Sequence, residues 1–267
     1  MSDDVLEFRA GDSPLLISIP HDGREVPAEI AARMTGAGRT LPDTDWHVAR
    51  LYDFAATLGA GVIAARFSRY VIDLNRPADD SELYPGQVAT GLCPARTFRG
   101  DPVYRDGEGV SAAERQARVE TYWRPYHDRL AHELGRLQAR HGYALLWDAH
   151  SIASEVPALF DGPLTELNLG TYGGASVAVG VEKALWEVAA AAPFSAVLNG
   201  RFTGGYITRH YGRPDDGCHA VQLELAQRSY MDEKTLRYDA ARAEPLRAVL
   251  RELLQTFLRT VSRDYSS

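Results

Sequence analysis

The sequence predicts an α/β layered fold, and three observations carry that expectation. Short apolar runs alternate with stretches of helical periodicity along the chain. Chemistry-bearing polar residues recur just past the ends of the strand-like runs, and in an open α/β sheet that edge is where ligands bind. The chain has 267 residues, 45% of them hydrophobic, which suits one large domain spanning 1–267.

The elements follow in order. "PLLISIPH" (14–21) reads as a short buried strand ending at His21. "DTDWHVARLYDFAATLG" (43–59) reads as a helix, with a partial apolar face from Trp46, Ala49, Leu51, Tyr52 and Phe54 and a stop at Gly59. "GVIAARFSRYVIDLNR" (61–76) holds one or two strands, the last apolar run, Tyr70 to Leu74, delivering Asn75 and Arg76. Residues 77–109 are rich in Gly, Pro and Asp. A loop that long inside a compact domain is often functional, so it is expected to form a rim over an active site, with a surface excursion as the alternative. Residues 111–141 read as a long helical segment with a kink or fresh start at Pro125. "YALLWDAHS" (143–151) is a strand, 175–191 holds a helix, and 196–212 is a strand followed by a Gly-rich turn. Residues 219–231 begin as an alternating strand, and Leu236 to Val261 form the final helix.

Composition excludes several classes. The net charge of -7 argues against a general nucleic-acid binder but leaves room for a small anionic ligand met by local arginines. Cys93 and Cys218 lie far apart with no partner pattern, so neither a disulfide framework nor a cysteine-based zinc site is expected. No apolar run approaches the roughly 20 residues of a membrane helix. The start "MSDDVLEFRA" is acidic and lacks a signal-peptide core, so a cytoplasmic protein is expected. There is no G-x-S-x-G elbow, no H-E-x-x-H, no phosphate loop and no dinucleotide fingerprint.

The candidate residues have two readings each. His21 is a metal ligand or a turn histidine, and His150 a ligand or a buried structural histidine. Asp148 lies two residues before His150 on the same strand face; spacing alone does not bring it to that ring, but it can orient a neighbouring ligand. Of Asp43 and Asp45, one can cap the helix while the other ligates; Asp45 is preferred as the ligand and Asp43 kept as the alternate. His47 is near but heads elsewhere. Glu224, with Gln222 on its face, stands in an apolar run where a carboxylate is costly unless paired or metal-linked; a solvated edge strand is the alternative. Next to a metal it would move protons. In "VIDLNRP", Arg76 offers a fork for a carboxylate, Asn75 a donor, and Asp73 a partner for either. In "NGRFTGGYITRHYG", Arg201, Thr203, Gly204 and Arg209 are candidate substrate contacts, the glycines permitting close backbone approach. His127 is either a packed core histidine, on a helical face with Trp123, Leu130, Leu134 and Leu137, or a group reaching the pocket.

Taken together, "ISIPHDGREVP", "LPDTDWHVARLYDFAATLGA", "YVIDLNRP", "YWRPYHDRL", "LLWDAHSI", "NGRFTGGYITRHYG" and "HAVQLEL" resemble the N-formylglutamate amidohydrolase family, from about residue 14 to 258. The resemblance implies a three-layer α/β/α fold with a central mixed sheet, similar to zinc carboxypeptidases and aspartoacylases (phosphorylase/hydrolase-like). It implies one Zn²⁺ per chain, held by His21, Asp45 and His150, with Glu224 as general base and Arg201 or His127 assisting at the oxyanion. Asn75 and Arg76, with Arg201 or Arg209, would hold a small dicarboxylate substrate, and Asp43, Asp73, Asp148 and Gln222 would stand behind the ligands. The H-x-x-E spacing of carboxypeptidases is absent, since Glu25 follows His21 four residues on. The implied reaction is hydrolysis of N-formyl-L-glutamate to formate and L-glutamate in histidine degradation. Two histidines and a carboxylate also suit iron or manganese. The rival readings are a related zinc amidase for another N-acyl amino acid and a non-catalytic binder of acidic ligands. Oligomeric state is not legible.

Overall fold

The structure is a computed structural model that describes residues 5–83 and 90–264; residues 84–89, part of the expected rim, lie outside the described residues. Among the described residues, seven strands form one mixed sheet: β1 (Leu6–Arg9), β2 (Leu15–Ile19), β3 (Gly61–Ala65), β4 (Ala144–Ile152), β5 (Leu167–Gly170), β6 (Ala196–Leu198) and β7 (Cys218–Ala226). Their order is β1-β3-β2-β4-β7-β5-β6. β3, β2, β4 and β7 run parallel, β1 and β5 pair antiparallel with β3 and β7, and β6 runs parallel to β5. The helices are α1 (Ala28–Ala31), α2 (Gly36–Arg39), α3 (Val48–Leu51), α4 (Ala112–Arg118), α5 (Arg124–His141), α6 (Val179–Ala191), α7 (Tyr206–Tyr211) and α8 (Ala240–Asp264). No helix among the described residues is long and apolar enough to cross a membrane.

β4 shows how the layers arise. Leu145, Trp147 and Ala149 point to one face, into a core shared with α3, α6 and α8, while Ala144 and Leu146 point to the other, against α5 and α7. Every residue of β4 and β7 is buried, as expected of parallel strands covered on both sides. Because the side-chain period is two, Asp148 and His150 share the α5 face. α8 seals the opposite face with a wholly buried stripe, Leu246, Leu250, Leu253, Leu254, Phe257 and Val261. Each such side chain contributes about 1.5–3 kcal/mol by leaving water. The helix starts at Asp239, whose Oδ1 accepts the Ala241 and Arg242 N–H groups at 3.0 and 3.2 Å.

The topology sets the position of the site. After β2 the chain builds β3 on one side, then crosses back past β2 to build β4 on the other. The connections diverge between β2 and β4, and this opens a crevice beyond their carboxyl ends.

Several expected elements differ. The helix expected over 43–59 is reduced to α3 and a 3₁₀ turn, Asp53–Leu58. The cause lies outside the segment: Asp45 N–H donates to the His21 carbonyl at 3.0 Å, and His47 takes a left-handed φ of 65°. The cap of α3 is not Asp43 but the Asp22 carboxylate, which accepts from His47 N–H and Ala49 N–H at 3.2 and 2.9 Å. Tyr70 to Leu74 is not a strand; it is a buried irregular turn whose Tyr70 and Val71 carbonyls accept from the Arg118 guanidinium. The kink near Pro125 is a π-helical turn, Val119–Trp123, between α4 and α5. β1, β5, α1, α2 and α7 are additions. Of the rim, Arg96 and Pro102 form an antiparallel bridge around a tight turn.

Candidate metal centre and active site

Three side chains from three separate segments meet in the crevice. His21 follows β2, His150 lies near the end of β4, and Asp45 sits in the turn that the His21 carbonyl holds in place. All three are buried, and one ligand atom from each lies within 4.8 Å of the others. The Nδ1 atoms of the two histidines are 3.2 Å apart, and Asp45 Oδ2 is 3.1 Å from His150 Nδ1 and 3.7 Å from His21 Nδ1.

The remote nitrogens explain why Nδ1 faces inward. His21 Nε2–H donates to Asp73 Oδ1 at 2.7 Å, and His150 Nε2 lies 3.0 Å from Asp148 Oδ2. Carboxylates on those nitrogens fix the rings and raise their basicity, an arrangement common behind metal ligands. The Asp148 contact corrects the spacing argument: from two residues away on the same face its carboxylate reaches the His150 ring itself. Asp148 is held in turn by Ser18 Oγ at 3.2 Å.

The donor set fits a metal ion on its chemistry. Nitrogen and carboxylate lone pairs converging in a buried space repel one another unless a cation lies against them. Here the cation touching them is the buried Arg69, whose Nη2 donates to His21 Nδ1 and, at 3.1 Å, to Asp45 Oδ1. Two imidazole nitrogens and one carboxylate oxygen are the donors a catalytic zinc site uses, with a position left over.

The electrostatics follow from these contacts. Burial opposes ionisation of Asp45, but Arg69, foremost, and the hydrogen bond from His150 pull its carboxyl well below the usual range. Burial likewise opposes ionisation of Asp73, and His21 and Arg69 overcome it. Burial acts to lower the His150 pKa, yet Asp148 and Asp45 raise it well above normal. A proton therefore competes with a metal for this ligand.

Asp43, the alternate ligand, lies outside the cluster. Its Oδ2 accepts from Tyr70 Oη at 2.7 Å and from Phe98 N–H at 2.8 Å, so it ties the rim turn to the ligand loop, and burial raises its pKa. His47 turns away, its Nε2 3.0 Å from the Leu236 carbonyl. Glu25 pairs with Arg66 at the surface.

A cavity opens over the cluster, with His21, His150, Glu224, Arg69, Arg76 and Arg201 in its wall. Asn75, Gln222, Gly205, Thr90 and Phe98 line it too, the last two from the expected rim. Glu224 is buried and pairs in register with His150 across the β4–β7 ladder. β7 is interior to the sheet, which removes the solvated-edge alternative. Burial is the main cause that pushes the Glu224 carboxyl up to about 8, against the lowering influence of His150. Gln222 Oε1 accepts from Gly205 N–H at 2.6 Å. Asn75 Oδ1 accepts from Ile207 N–H at 2.8 Å, and its Nδ2 lies 3.0 Å from His150 Nε2.

Other expected residues are placed elsewhere. His127 is not in the cavity wall: Nε2–H donates to the Leu74 carbonyl at 2.8 Å, Nδ1 lies 3.0 Å from Tyr211 Oη, and the ring stacks on Trp123. Burial lowers its pKa to about 3, so it is a neutral packed residue. Thr203, Gly204 and Arg209 also lie outside the wall. Arg209 Nε donates to the Gly204 carbonyl at 2.8 Å and Nη1 to the Leu83 carbonyl at 3.0 Å. Gly205, not Gly204, makes the close approach, and it does so to the Asn75 side chain. Arg69 was not anticipated. Its one signal is a charge placed directly before the apolar run Tyr70–Ile72, where burial demands an acidic partner.

A profile of the N-formylglutamate amidohydrolase family matches residues 13–231. An N-formylglutamate deformylase of Pseudomonas aeruginosa is 55% identical over 258 residues, covering 96% of this chain and 97% of its own. One from Pseudomonas putida is 52% identical over 258 residues, covering 96% of each chain. In fold, the chain is similar to the crystal structure of an N-formylglutamate amidohydrolase from Ralstonia eutropha, with a TM-score of 0.80 at 24% identity over 97% of both chains. It is also similar to a gene product of Agrobacterium tumefaciens, with a TM-score of 0.69 at 20% identity over 94% of this chain and 95% of that one. The chain belongs to the N-formylglutamate amidohydrolase family.

Proposed function

We propose that the protein is a zinc-dependent hydrolase that cleaves the formamide bond of N-formyl-L-glutamate, releasing formate and L-glutamate. The observation that carries this reading is the buried cluster of His21, Asp45 and His150, whose two histidines line a cavity that Glu224 also lines. The names and high identity of the two Pseudomonas relatives support the substrate; a place in histidine degradation in the cytoplasm is part of the same proposal.

His21, Asp45 and His150 would hold the ion, oriented by Asp73 and Asp148. Bound there, the ion supplies Lewis acidity, which acidifies a water and polarises the formyl carbonyl. Glu224 accepts a proton from the attacking water as the new C–O bond forms, and returns it to the amide nitrogen as the C–N bond breaks. Its raised pKa suits both roles, since a group that ionises near neutrality gains and loses a proton with similar ease. Arg69 takes the oxyanion role expected of Arg201 or His127, because its guanidinium lies in the cavity wall beside His21 and Asp45. Arg76, adjacent to Asn75, binds the α-carboxylate.

The test is formate release from N-formyl-L-glutamate before and after chelation, with N-acetyl-L-glutamate alongside. Formate is expected only from the formyl compound, to vanish on chelation and to return with Zn²⁺. Turnover that survives exhaustive chelation rejects the metal; faster turnover of the acetyl compound rejects the substrate.

A further inference from the structure

Among the described residues the cavity wall contains three arginines, and their environments differ. Arg69 is committed to Asp45 and His21. Arg76 follows β3, and its Nε donates to the Thr90 carbonyl at 2.9 Å. Arg201 follows β6, at the opposite end of the sheet order. Its Nε donates to the Leu159 carbonyl at 2.7 Å, and its guanidinium carbon lies 5.7 Å from the Phe202 ring centre.

We propose that Arg201 recognises the distal carboxylate of the acylated amino acid and so makes the cavity selective for an acidic side chain. The proposal rests on the hydrolase reading above. In an N-acyl amino acid the α-carboxylate sits next to the scissile nitrogen, so its partner must stand beside the donor cluster, where Arg76 and Asn75 are. The distal carboxylate of a glutamate lies three bonds beyond the α-carbon and needs a second cation displaced from the first. Arg201 supplies it from the β6 side. Ile152, Leu159 and Phe202 in the same wall give the cavity an apolar surface that matches the methylenes. The Leu159 carbonyl fixes the guanidinium plane, which reduces the side-chain entropy lost when a carboxylate binds. Arg209, in α7, lies outside the wall and over the Tyr172 ring at 4.5 Å.

The experiment measures the ratio of kcat/KM for N-formyl-L-glutamate to that for N-formyl-L-glutamine, which keeps the shape and removes the charge. Arg201→Met is expected to collapse that ratio by about 100-fold or more, because a site built to pair a charged group rejects analogues lacking it only while the partner is present. Arg201→Lys keeps a point charge without the fork and is expected to fall between, which serves the test if the methionine variant does not fold. Arg209→Met is the comparison and is expected to keep the wild-type ratio. A ratio preserved in both Arg201 variants, or one that collapses in Arg209→Met instead, overturns the assignment. Wild-type protein that releases no formate from either compound overturns the hydrolase reading itself, an outcome distinct from a preserved ratio.

Discussion

Asp73 Oδ1 sits 2.7 Å from His21 Nε2, and this contact decides which nitrogen of His21 faces Asp45. A proton held on Nε2 leaves the Nδ1 lone pair for a ligand. Replacing Asp73 with Asn weakens that preference and removes a charge behind the ligand. Asp73→Asn is expected to lower metal affinity about 10- to 100-fold. Competition with a chromophoric chelator measures it, and an unchanged affinity would show that His21 needs no such partner.

Glu224 is the proton carrier in the proposed reaction and not a metal ligand. Glu224→Gln preserves shape and hydrogen-bonding capacity but cannot shuttle a proton. Turnover is expected to fall about 10²- to 10⁴-fold while metal content stays stoichiometric. Wild-type-like formate release from this variant rejects the assignment.

Gly205 carries no charge and touches no ligand atom, yet it is expected to be sensitive. Its φ of -81° is ordinary, so the constraint is purely steric. A Cβ there would lie 2.4 Å from Asn75 Nδ2 and 2.7 Å from its Cγ. Asn75 would have to move from its position beside His150 and Arg76. Gly205→Ala is expected to cost about 100-fold in kcat/KM, the scale of a misplacement near 1 Å, with the melting temperature little changed. Full activity in that variant would show that Asn75 has room to yield.

His127 makes stability depend on pH. Its folded pKa is lowered to about 3, chiefly by burial. The unfolded chain binds a proton near the ordinary histidine pKa of about 6.5. Between the two values the unfolded state holds the extra proton, so stability is lost as pH falls, by up to about 1.4 kcal/mol per unit. Above the higher value His127 contributes no slope. Unfolding free energies from urea titrations at pH 7 and pH 5 should therefore differ more in wild type than in His127→Gln, by about 2 kcal/mol. Equal losses in both would place the proton elsewhere.

Strands β2, β4 and β7 and the α8 stripe were legible because their periodicity is a local property of the chain. Leu15–Ile19, Ala144–Ile152 and Cys218–Ala226 each have a site residue within two positions of their carboxyl end, His21, His150 and Glu224, and a strand pointing at a polar terminus can be read without knowing its neighbours. The DTD segment could not be read this way. Its helical pattern is real, but the His21 carbonyl and the Asp22 carboxylate, more than twenty residues upstream, hold it as a turn. Local propensity lost to tertiary hydrogen bonds. The same contacts settle which of its two aspartates turns toward the histidines.

His127 and Arg69 mark the two ways a side chain escapes sequence reasoning. Both are polar residues beside apolar runs. One is buried with both ring nitrogens committed to the fold, and the other is buried with its charge aimed at the donor cluster. Nothing in their flanking residues separates these fates, because the distinction depends on which segments pack against them.

By itself, the amino-acid order determined the alternation of strands and helices, the apolar faces that form the two cores, and the short list of residues able to bind a cation or move a proton. Tertiary structure alone decided which of them meet: Asp45 over Asp43, Arg69 over His127, Arg201 over Arg209. The reason is physical. Periodicity acts over one or two turns of chain, whereas a buried ion-binding cluster is assembled from side chains up to 129 positions apart, and its geometry exists only once the strand order has placed their ends side by side.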